Sequence, residues 1–253
     1  MAKAAVDLLE TIFADGHKPV RKVGRGMYHS GQAISFPTNK VGSGIVRARS
    51  ALMADGLLHL DTDPNVVHLS PYPMEVAYWS TFDGETPAKR DHIPDMAILL
   101  RGGDVVFIDY VPLLEQIETR RFRNRVVERV RHFREEFDAA YVVHDERSIR
   151  IEPRLSNLRL MWTHRARRTE PASLAHARQI IREAGLPVSI RSIADKADFA
   201  RQAIIWEDDE APTMVTETNL IFTAVMQLAM RGEVRLDLGK RLTLDSMIFE
   251  VAA

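Results

Sequence analysis

The alternation of hydrophobic and polar residues is clearest in the middle of the chain, where it predicts a β-hairpin. Residues 96–100 and 105–110 are apolar, β-prone runs, and the short loop between them is rich in glycine. Further along, the apolar period lengthens to that of a helix. The apolar stripe consists of Phe122, Val126, Val130, Phe133 and Phe137. We therefore expect a hairpin followed by one long helix over residues 113–137.

Shorter patterns on both sides of the hairpin predict an α/β fold class. Residues 46–60 have a helical pattern, residues 66–69 and 74–79 alternate as strands, and residues 141–144 form another short strand. Strands and helices thus follow one another along this part of the chain. This order predicts a mixed sheet with helices on its faces.

The C-terminal third has a different pattern, which begins near Thr169. Helical patterns cover residues 172–184, 190–206 and 218–231, and two short strands, 234–238 and 242–244, flank Gly239-Lys240-Arg241. Three helices and a small hairpin are typical of a winged-helix module. We expect three regions: an N-terminal helix and basic arm (1–30), an α/β domain (31–168) and a winged-helix-like α+β domain (169–253).

The composition restricts the setting in which the protein works. The chain has no cysteine, which excludes disulfides and cysteine-ligated zinc, and it has no apolar run long enough to cross a bilayer. The first fifteen residues are amphipathic, unlike a signal peptide. We expect a cytoplasmic protein with no membrane partner.

Arginine is concentrated in one stretch, although the formal net charge of the 253 residues is only −1. Residues 120–168 contain fourteen arginines, no lysine and seven acids. Exclusive use of arginine favours bidentate contacts to phosphate, and arginines four residues apart share a helix face. The alternative is a solvated face balanced by nearby glutamates. The residues that we expect to contact DNA are Arg120, Arg121, Arg123, Arg125, Arg129 and, at the wing, Lys240 and Arg241.

Two aspartates lie at the open end of the predicted hairpin, Asp95 before the first strand and Asp109 near the end of the second. A two-residue loop would turn Asp109 to the other face of the sheet. A three-residue loop with Gly103 in the left-handed region would place the two carboxylates opposite each other. Facing carboxylates repel unless a divalent cation or a proton lies between them. Two ordinary strand-end acids in solvent are the alternative.

The hairpin resembles the PD-(D/E)xK core of restriction-endonuclease-like nucleases, through IPDMAILL (93–100) and VVFIDYVP (105–112). The flanking segments are similar to the TnsA-like transposon endonuclease family, which nicks transposon 5′ ends beside a transposase. These segments are FPTNKVGSGIV (36–46), RS (49–50), DTDPNV (61–66), PMEVAY (73–78), YVVHDERSIR (141–150) and LSNL (155–158). The resemblance covers about residues 33–168 and, more weakly, the C-terminal region.

The chain departs from this family at the residues that support catalysis. The resemblance implies a metal held by Asp95, Asp109 and a glutamate within residues 47–54, but that stretch has Arg49 and Met53. The expected lysine falls at position 111, which is Val111. Such sites hydrolyse phosphodiesters with Mg²⁺ and a lysine that offsets developing charge. The aspartates are therefore expected to be vestigial, with weak metal binding at most and no cofactor.

These observations together favour a DNA-binding protein derived from a TnsA-like endonuclease. We expect it to be inactive in cleavage and to act on double-stranded DNA in the nucleoid, as a regulator or accessory factor of transposition. A transposase partner and a homo-oligomer both stay open. One alternative is an active Mg²⁺-dependent endonuclease whose site is rearranged through Glu75, Lys89 or Lys40. Another is a protein-interaction module that keeps only the shape of the nuclease.

Overall fold

The computed structural model describes residues 2–23, 33–80, 87–119, 121–166, 170–197, 201–208 and 211–251. The chain divides into two compact units, one of residues 1–61 and 65–151 and one of residues 62–64 and 152–253. The division at residue 151 comes earlier than the expected boundary at Thr169. The reason is that Asn157 donates hydrogen bonds to the carbonyls of Leu238 and Lys240, which ties residues just after 151 to the second unit.

The first unit contains a four-stranded sheet, two separate strand pairs and five helices among its described residues. Its elements are α1 (Ala2–Ile12), β1 (Ile34–Pro37), β2 (Ile45–Ala48), α2 (Ala51–Thr62), β3 (Val66–Pro71), β4 (Val76–Ser80), β5 (Ala88–His92), β6 (Met96–Leu100), β7 (Val105–Tyr110), α3 (Leu113–Glu118), α4 (Phe122–Phe137), β8 (Ala140–His144) and α5 (Glu146–Ile149). β1 pairs with β2, and β4 pairs with β5.

The central sheet has the strand order β3-β6-β7-β8 and is mixed, because only β7 and β8 are parallel. On one face, Phe107 of β7 packs in a core with Phe133 of α4 and Ile12 of α1. On the other face, a Cβ added at Gly56 of α2 would lie 2.1 Å from the ring of Tyr110, so this close approach requires glycine. The predicted mixed α/β sheet with flanking helices is confirmed at this level.

The hairpin of β6 and β7 has the three-residue loop. Leu100 donates its N–H to the carbonyl of Asp104 at 2.9 Å, and Gly103 has a φ of 93°, a conformation that favours glycine. The register pairs Met96 with Ile108. One step further, this register places Asp95 opposite Asp109.

Two helix predictions in the first unit need correction. Residues 45–48 form β2 rather than the start of a helix, and α2 begins only at Ala51, where Ser50 accepts a hydrogen bond from the N–H of Met53 as an N-cap. The predicted helix 113–137 is broken, because Arg121 adopts a left-handed φ of 61° between α3 and α4. A non-glycine residue in this conformation cannot continue a right-handed helix.

The second unit has the elements α6 (Arg154–Thr163), α7 (Ala172–Glu183), β9 (Val188–Ser189), α8 (Ile190–Ala194), β10 (Arg201–Asp208), β11 (Ala211–Asn219), α9 (Leu220–Arg231), β12 (Arg235–Leu236) and β13 (Met247–Phe249). β13 lies between β12 and β9 in an antiparallel sheet. Asn219 caps the N-terminus of α9 by accepting a hydrogen bond from the N–H of Phe222. Gly232, with a φ of 74°, caps its C-terminus.

Two predictions for this unit are wrong. The helix expected over 190–206 stops at Ala194, and residues 201–208 pair with β11 in a hairpin, which suits their β-prone sequence AIIW. The expected partner strand 242–244 is not the one used, because β12 pairs with Met247–Phe249. Among the described residues, every helix is too short or too polar to cross a bilayer.

Candidate functional site

The two aspartates meet at the end of the central sheet, and both are buried. The N–H of Asp95 donates to Oδ1 of Asp109 at 3.0 Å, and the N–H of Tyr110 donates to Oδ2 of Asp95 at 2.9 Å. Each carboxylate is therefore fixed by the backbone of the opposite strand. Burial of both side chains excludes the alternative of two solvated strand-end acids.

Arg49 neutralises Asp95 from the short segment between β2 and α2. Its Nε lies 2.6 Å from Oδ1 and its Nη2 lies 2.8 Å from Oδ2, which is a bidentate ion pair. The same Nη2 also donates to the carbonyl of Tyr110 at 2.8 Å. With its side chain only 18% exposed, Arg49 is part of the buried site.

Arg129 neutralises Asp109 from the inner face of α4. Its Nη1 lies 3.2 Å from Oδ2 of Asp109 and 3.0 Å from the hydroxyl of Tyr141, which also donates to Oδ2. Nε2 of His92 lies 3.0 Å from the same oxygen, and Nε of Arg129 donates to the hydroxyl of Tyr78 at 3.3 Å. The centre thus holds two carboxylates against two guanidinium groups.

Burial and charge act in opposite directions on these groups. Burial raises the pKa of the Asp95 carboxyl above its ordinary value, and repulsion by Asp109 adds to this, while Arg49 acts to lower it. Burial also acts to raise the pKa of Asp109, but contacts with His92, Tyr141 and Arg129 hold that pKa below its ordinary value. Burial acts to lower the pKa of both arginines, but their carboxylate and hydroxyl partners outweigh burial, so each pKa lies above its ordinary value. Both arginines stay charged, and Asp95 is the carboxyl closer to taking up a proton.

The other two positions at which the resemblance implies catalytic groups are apolar and buried. Met53 lies in α2, where its sulfur accepts a hydrogen bond from the hydroxyl of Tyr72 at 3.4 Å. Val111 is buried after β7, and its N–H donates to the carbonyl of His144. Neither side chain offers an oxygen ligand for Mg²⁺ or a charged group that could activate a water molecule.

The residues that could have rescued a nuclease centre lie elsewhere. Nζ of Lys40 donates to the carbonyl of Leu60 at 2.8 Å, while Glu75 and Lys89 are exposed. In the described part of the chain, none of the three bonds to Asp95 or Asp109, and no group of three or more acidic, histidine or cysteine side chains is arranged to hold a metal. This donor set does not fit a Mg²⁺ ion, because guanidinium groups occupy the carboxylate oxygens.

The arginine row expected on α4 is divided between the interior and the surface. Arg129 points inward and is 16% exposed, so its guanidinium serves Asp109 and is withdrawn from the surface. Arg123 is exposed and Arg125 is half-buried, whereas Arg120 lies outside the described residues. Val130, expected in the inward stripe, is exposed instead. The inner face of α4 holds Glu128, which accepts a hydrogen bond from Ser80 at 3.0 Å.

The candidate DNA contacts of the second unit lie in a turn. Lys240 and Arg241 are exposed between β12 and β13, and Nζ of Lys240 lies 3.6 Å from Asp237. Eight of the twelve residues of α9 are buried, and they include Gln227. This helix is therefore part of the core and has little polar surface with which to read bases.

Three residues of the centre were not expected from the sequence: His92, Tyr141 and Tyr78. β8 runs parallel to β7, and Tyr141 pairs with Phe107. Because Phe107 lies two residues before Asp109 on the same face of the sheet, the side chain of Tyr141 can reach Asp109. His92 ends β5 shortly before Asp95. The closeness of His92 to Asp95 in the sequence was the signal that could have indicated that His92 belongs to the centre.

No protein-family model matches the chain, and no curated protein matches its sequence.

Proposed function

We propose that the chain is a DNA-binding protein derived from a TnsA-like endonuclease and that it does not cleave DNA. The main support for the absence of cleavage is the pairing of Asp95 with Arg49 and of Asp109 with Arg129. Hydrolysis in this class of nuclease requires carboxylates that hold Mg²⁺. Here the same oxygens are bonded to guanidinium groups, which are fixed positive charges that cannot activate water.

The mixed sheet supports the nuclease-derived part of the proposal. Its hairpin places two aspartates opposite each other at the end of a sheet with helices on both faces, as the resemblance to the restriction-endonuclease-like fold implies. The second unit supports the winged-helix part. Its order α7, β9, α8, α9, β12, β13 and its sheet order β12-β13-β9 suit such a module, with the hairpin of β10 and β11 inserted before α9.

In the first unit, the DNA contacts that we propose lie at the start of α4, and in the second unit they lie in the turn at Lys240 and Arg241. Arg121, Arg123 and Arg125 lie near the N-terminal end of α4, away from the centre to which Arg129 is committed. Guanidinium groups bind phosphate in a bidentate manner. Because α9 is buried, contacts from the second unit would come from the turn and go to the DNA backbone.

The test combines binding and cleavage on one preparation. We expect the wild-type protein to bind a blunt duplex in a fluorescence anisotropy titration with strong salt dependence. Replacing Arg121, Arg123 and Arg125 together by alanine should make the slope of log binding constant against log salt concentration shallower. The expected change is about 0.9 for each phosphate that the variant no longer neutralises. The matched control replaces Arg182 and Arg191, two exposed arginines of the second unit, and should change the slope little.

The same preparation should leave supercoiled plasmid intact in Mg²⁺ or Mn²⁺. Nicking that disappears in Asp95→Asn, with binding intact, would contradict the proposal and establish the active endonuclease. Duplex binding that is absent, or that is unaffected by the triple replacement, would contradict the proposed DNA surface and leave the protein-interaction role.

A further inference from the structure

The strand pair of β4 and β5 leaves one edge of β4 unpaired. These strands form a separate two-stranded sheet, in which Val76 pairs with His92 and Ser80 pairs with Ala88. Among the described residues, no backbone hydrogen bond joins β4 to any segment except β5. The N–H and C=O groups on the other edge of β4 can therefore pair with an added strand.

β4 also lacks the features that usually protect an edge strand. Its sequence, VAYWS, has no charged residue, no proline and no glycine, whereas β5 has three charged residues in succession, Lys89, Arg90 and Asp91. Charged side chains and prolines on an edge strand oppose pairing with another chain. β4 is therefore the edge at which this two-stranded sheet can be extended.

The outer face of the strand pair carries an exposed aromatic side chain. Val76 and Tyr78 are buried on the inner face, whereas Ala77 and Trp79 lie on the outer face, where Trp79 is 65% exposed. Packing within one chain thus leaves most of this indole in water. Tryptophan is enriched at the centre of protein interfaces, where a partner removes its large surface from water.

We propose that β4 pairs antiparallel with β4 of a second copy of the chain, so that the two strand pairs form one four-stranded sheet. The register that pairs all five residues of β4 is centred on Tyr78. In this register, Trp79 of each copy lies opposite Ala77 of the other, on the outer face of the sheet. Such a contact is symmetric, because both copies use the same surface.

The outer face favours a second copy over an unrelated strand. In this register, a row of side chains across the four strands contains Lys89 and Trp79 of one copy, followed by Ala77 and Asp91 of the other. The symmetric row has the same composition, so each row holds one lysine and one aspartate, and like charges do not face each other. The chain itself also supplies the small alanine that leaves room for the indole.

Sedimentation velocity of the full chain without DNA tests the dimer. The wild type should shift from monomer to dimer as its concentration rises. Trp79→Glu should weaken the dimer about thirtyfold or more, the effect of losing one tryptophan at the centre of an interface. Because the indole is mostly exposed, this variant should keep the circular dichroism spectrum of the wild type. The matched control is Ile117→Glu, which alters a 72% exposed side chain outside the strand pair and should dimerise as the wild type does.

Disulfide cross-linking tests the register, since the chain has no cysteine of its own. A mixture of Ala77→Cys and Trp79→Cys chains places the two new thiols opposite each other in one row, while the other row keeps its tryptophan and alanine. Mild oxidation of the mixture should give a disulfide-linked dimer. Each variant alone should give much less, because its two thiols lie in different rows, too far apart for a disulfide.

A wild type that stays monomeric at every concentration would overturn the inference, and so would a dimer that Trp79→Glu does not weaken. Cross-linking of the mixture that is no greater than that of the separate variants would overturn the proposed pairing. Loss of duplex affinity in Trp79→Glu, with a monomeric wild type, would assign the indole to DNA instead. Since the dimer is measured without DNA, its failure would leave the proposed DNA-binding function standing.

Discussion

The carboxylate centre and the surface at the start of α4 both contain arginines, but their charges are arranged differently. In the centre, Arg49 and Arg129 each face a buried carboxylate. At the start of α4, Arg123 is exposed to solvent, where it can meet an anion from outside the chain. A count of arginines along the sequence therefore does not locate a binding surface. The counter-charge within reach decides whether a guanidinium group holds the fold together or can bind an anion.

The largest expected effect is loss of stability when the centre loses one partner. Asp95→Ala leaves Arg49 mostly buried without its carboxylate, and breaking such a pair costs about 3–5 kcal/mol. Urea unfolding followed by circular dichroism measures this. The control is Glu233→Ala, which breaks the more exposed pair with Arg182 and should cost about 1 kcal/mol or less. Equal costs would contradict the distinction between a buried centre and the surface.

The second effect is a change in pH dependence. Arg49→Leu removes the group that lowers the pKa of Asp95, so burial and Asp109 would raise that pKa further. A carboxyl whose folded pKa lies above its unfolded value stabilises the fold when it is protonated, and this contribution is lost as pH rises through the folded pKa. We expect the unfolding free energy of Arg49→Leu to lie about 2–4 kcal/mol below that of the wild type at neutral pH. This deficit should shrink as pH falls toward about 4.

Urea midpoints of the wild type and Arg49→Leu at several pH values test this prediction. Arg182→Leu, at the exposed pair with Glu233, is the control and should cost about 1 kcal/mol or less. A deficit of Arg49→Leu that stays constant or grows on acidification would show that Asp95 does not take up the proton.

A third effect separates two buried tyrosines. The hydroxyl of Tyr141 bonds to Asp109 and Arg129, so Tyr141→Phe should cost about 1.5–3 kcal/mol, the value of hydrogen bonds to charged groups. The hydroxyl of Tyr110 is buried with no hydrogen-bond partner in the described part of the chain, so Tyr110→Phe should be neutral or stabilising. Unfolding free energies that rank the two in the opposite order would refute the assigned network.

The smallest effect is expected on the exposed apolar side chains of α3. Leu114→Ser and Ile117→Ser change side chains that contribute little to the core, and each should alter the unfolding free energy by about 0.5 kcal/mol or less. The comparison is Phe133→Ala in the core, which should cost about 3–5 kcal/mol. A loss above about 2 kcal/mol on replacing Ile117 would mean that these exposed side chains serve folding.

The hairpin could be predicted because its signals are local, and they limited the register of the two aspartates to two loop lengths. Alternation fixes which side chains share a face, and Gly103 permits the three-residue loop that sets the register. The orientation of α4 could not be predicted in the same way. Its apolar residues indicated one inward stripe, but Arg129 and Glu128 turn inward because Asp109 and Ser80, far away in the sequence, provide partners for them.

The remaining errors also come from long-range contacts. Residues 201–208 form a strand because residues 211–219 pair with them, although the helical pattern of 190–194 continued into this segment. Tyr141 joins the centre only through the parallel pairing of β7 and β8, which connects segments separated by two helices. The sequence places Arg49 where the resemblance implies a metal ligand, but only the folded chain brings its two nitrogens to both oxygens of Asp95.

Metal binding by the wild-type protein tests the central claim most directly, because Arg49 and a divalent cation would need the same carboxylate oxygens. Isothermal titration calorimetry with MnCl₂ should give no saturable binding at the aspartates, and Mn²⁺ should leave the thermal unfolding midpoint unchanged. A saturable Mn²⁺ site in the wild type that disappears in Asp95→Asn would contradict the account.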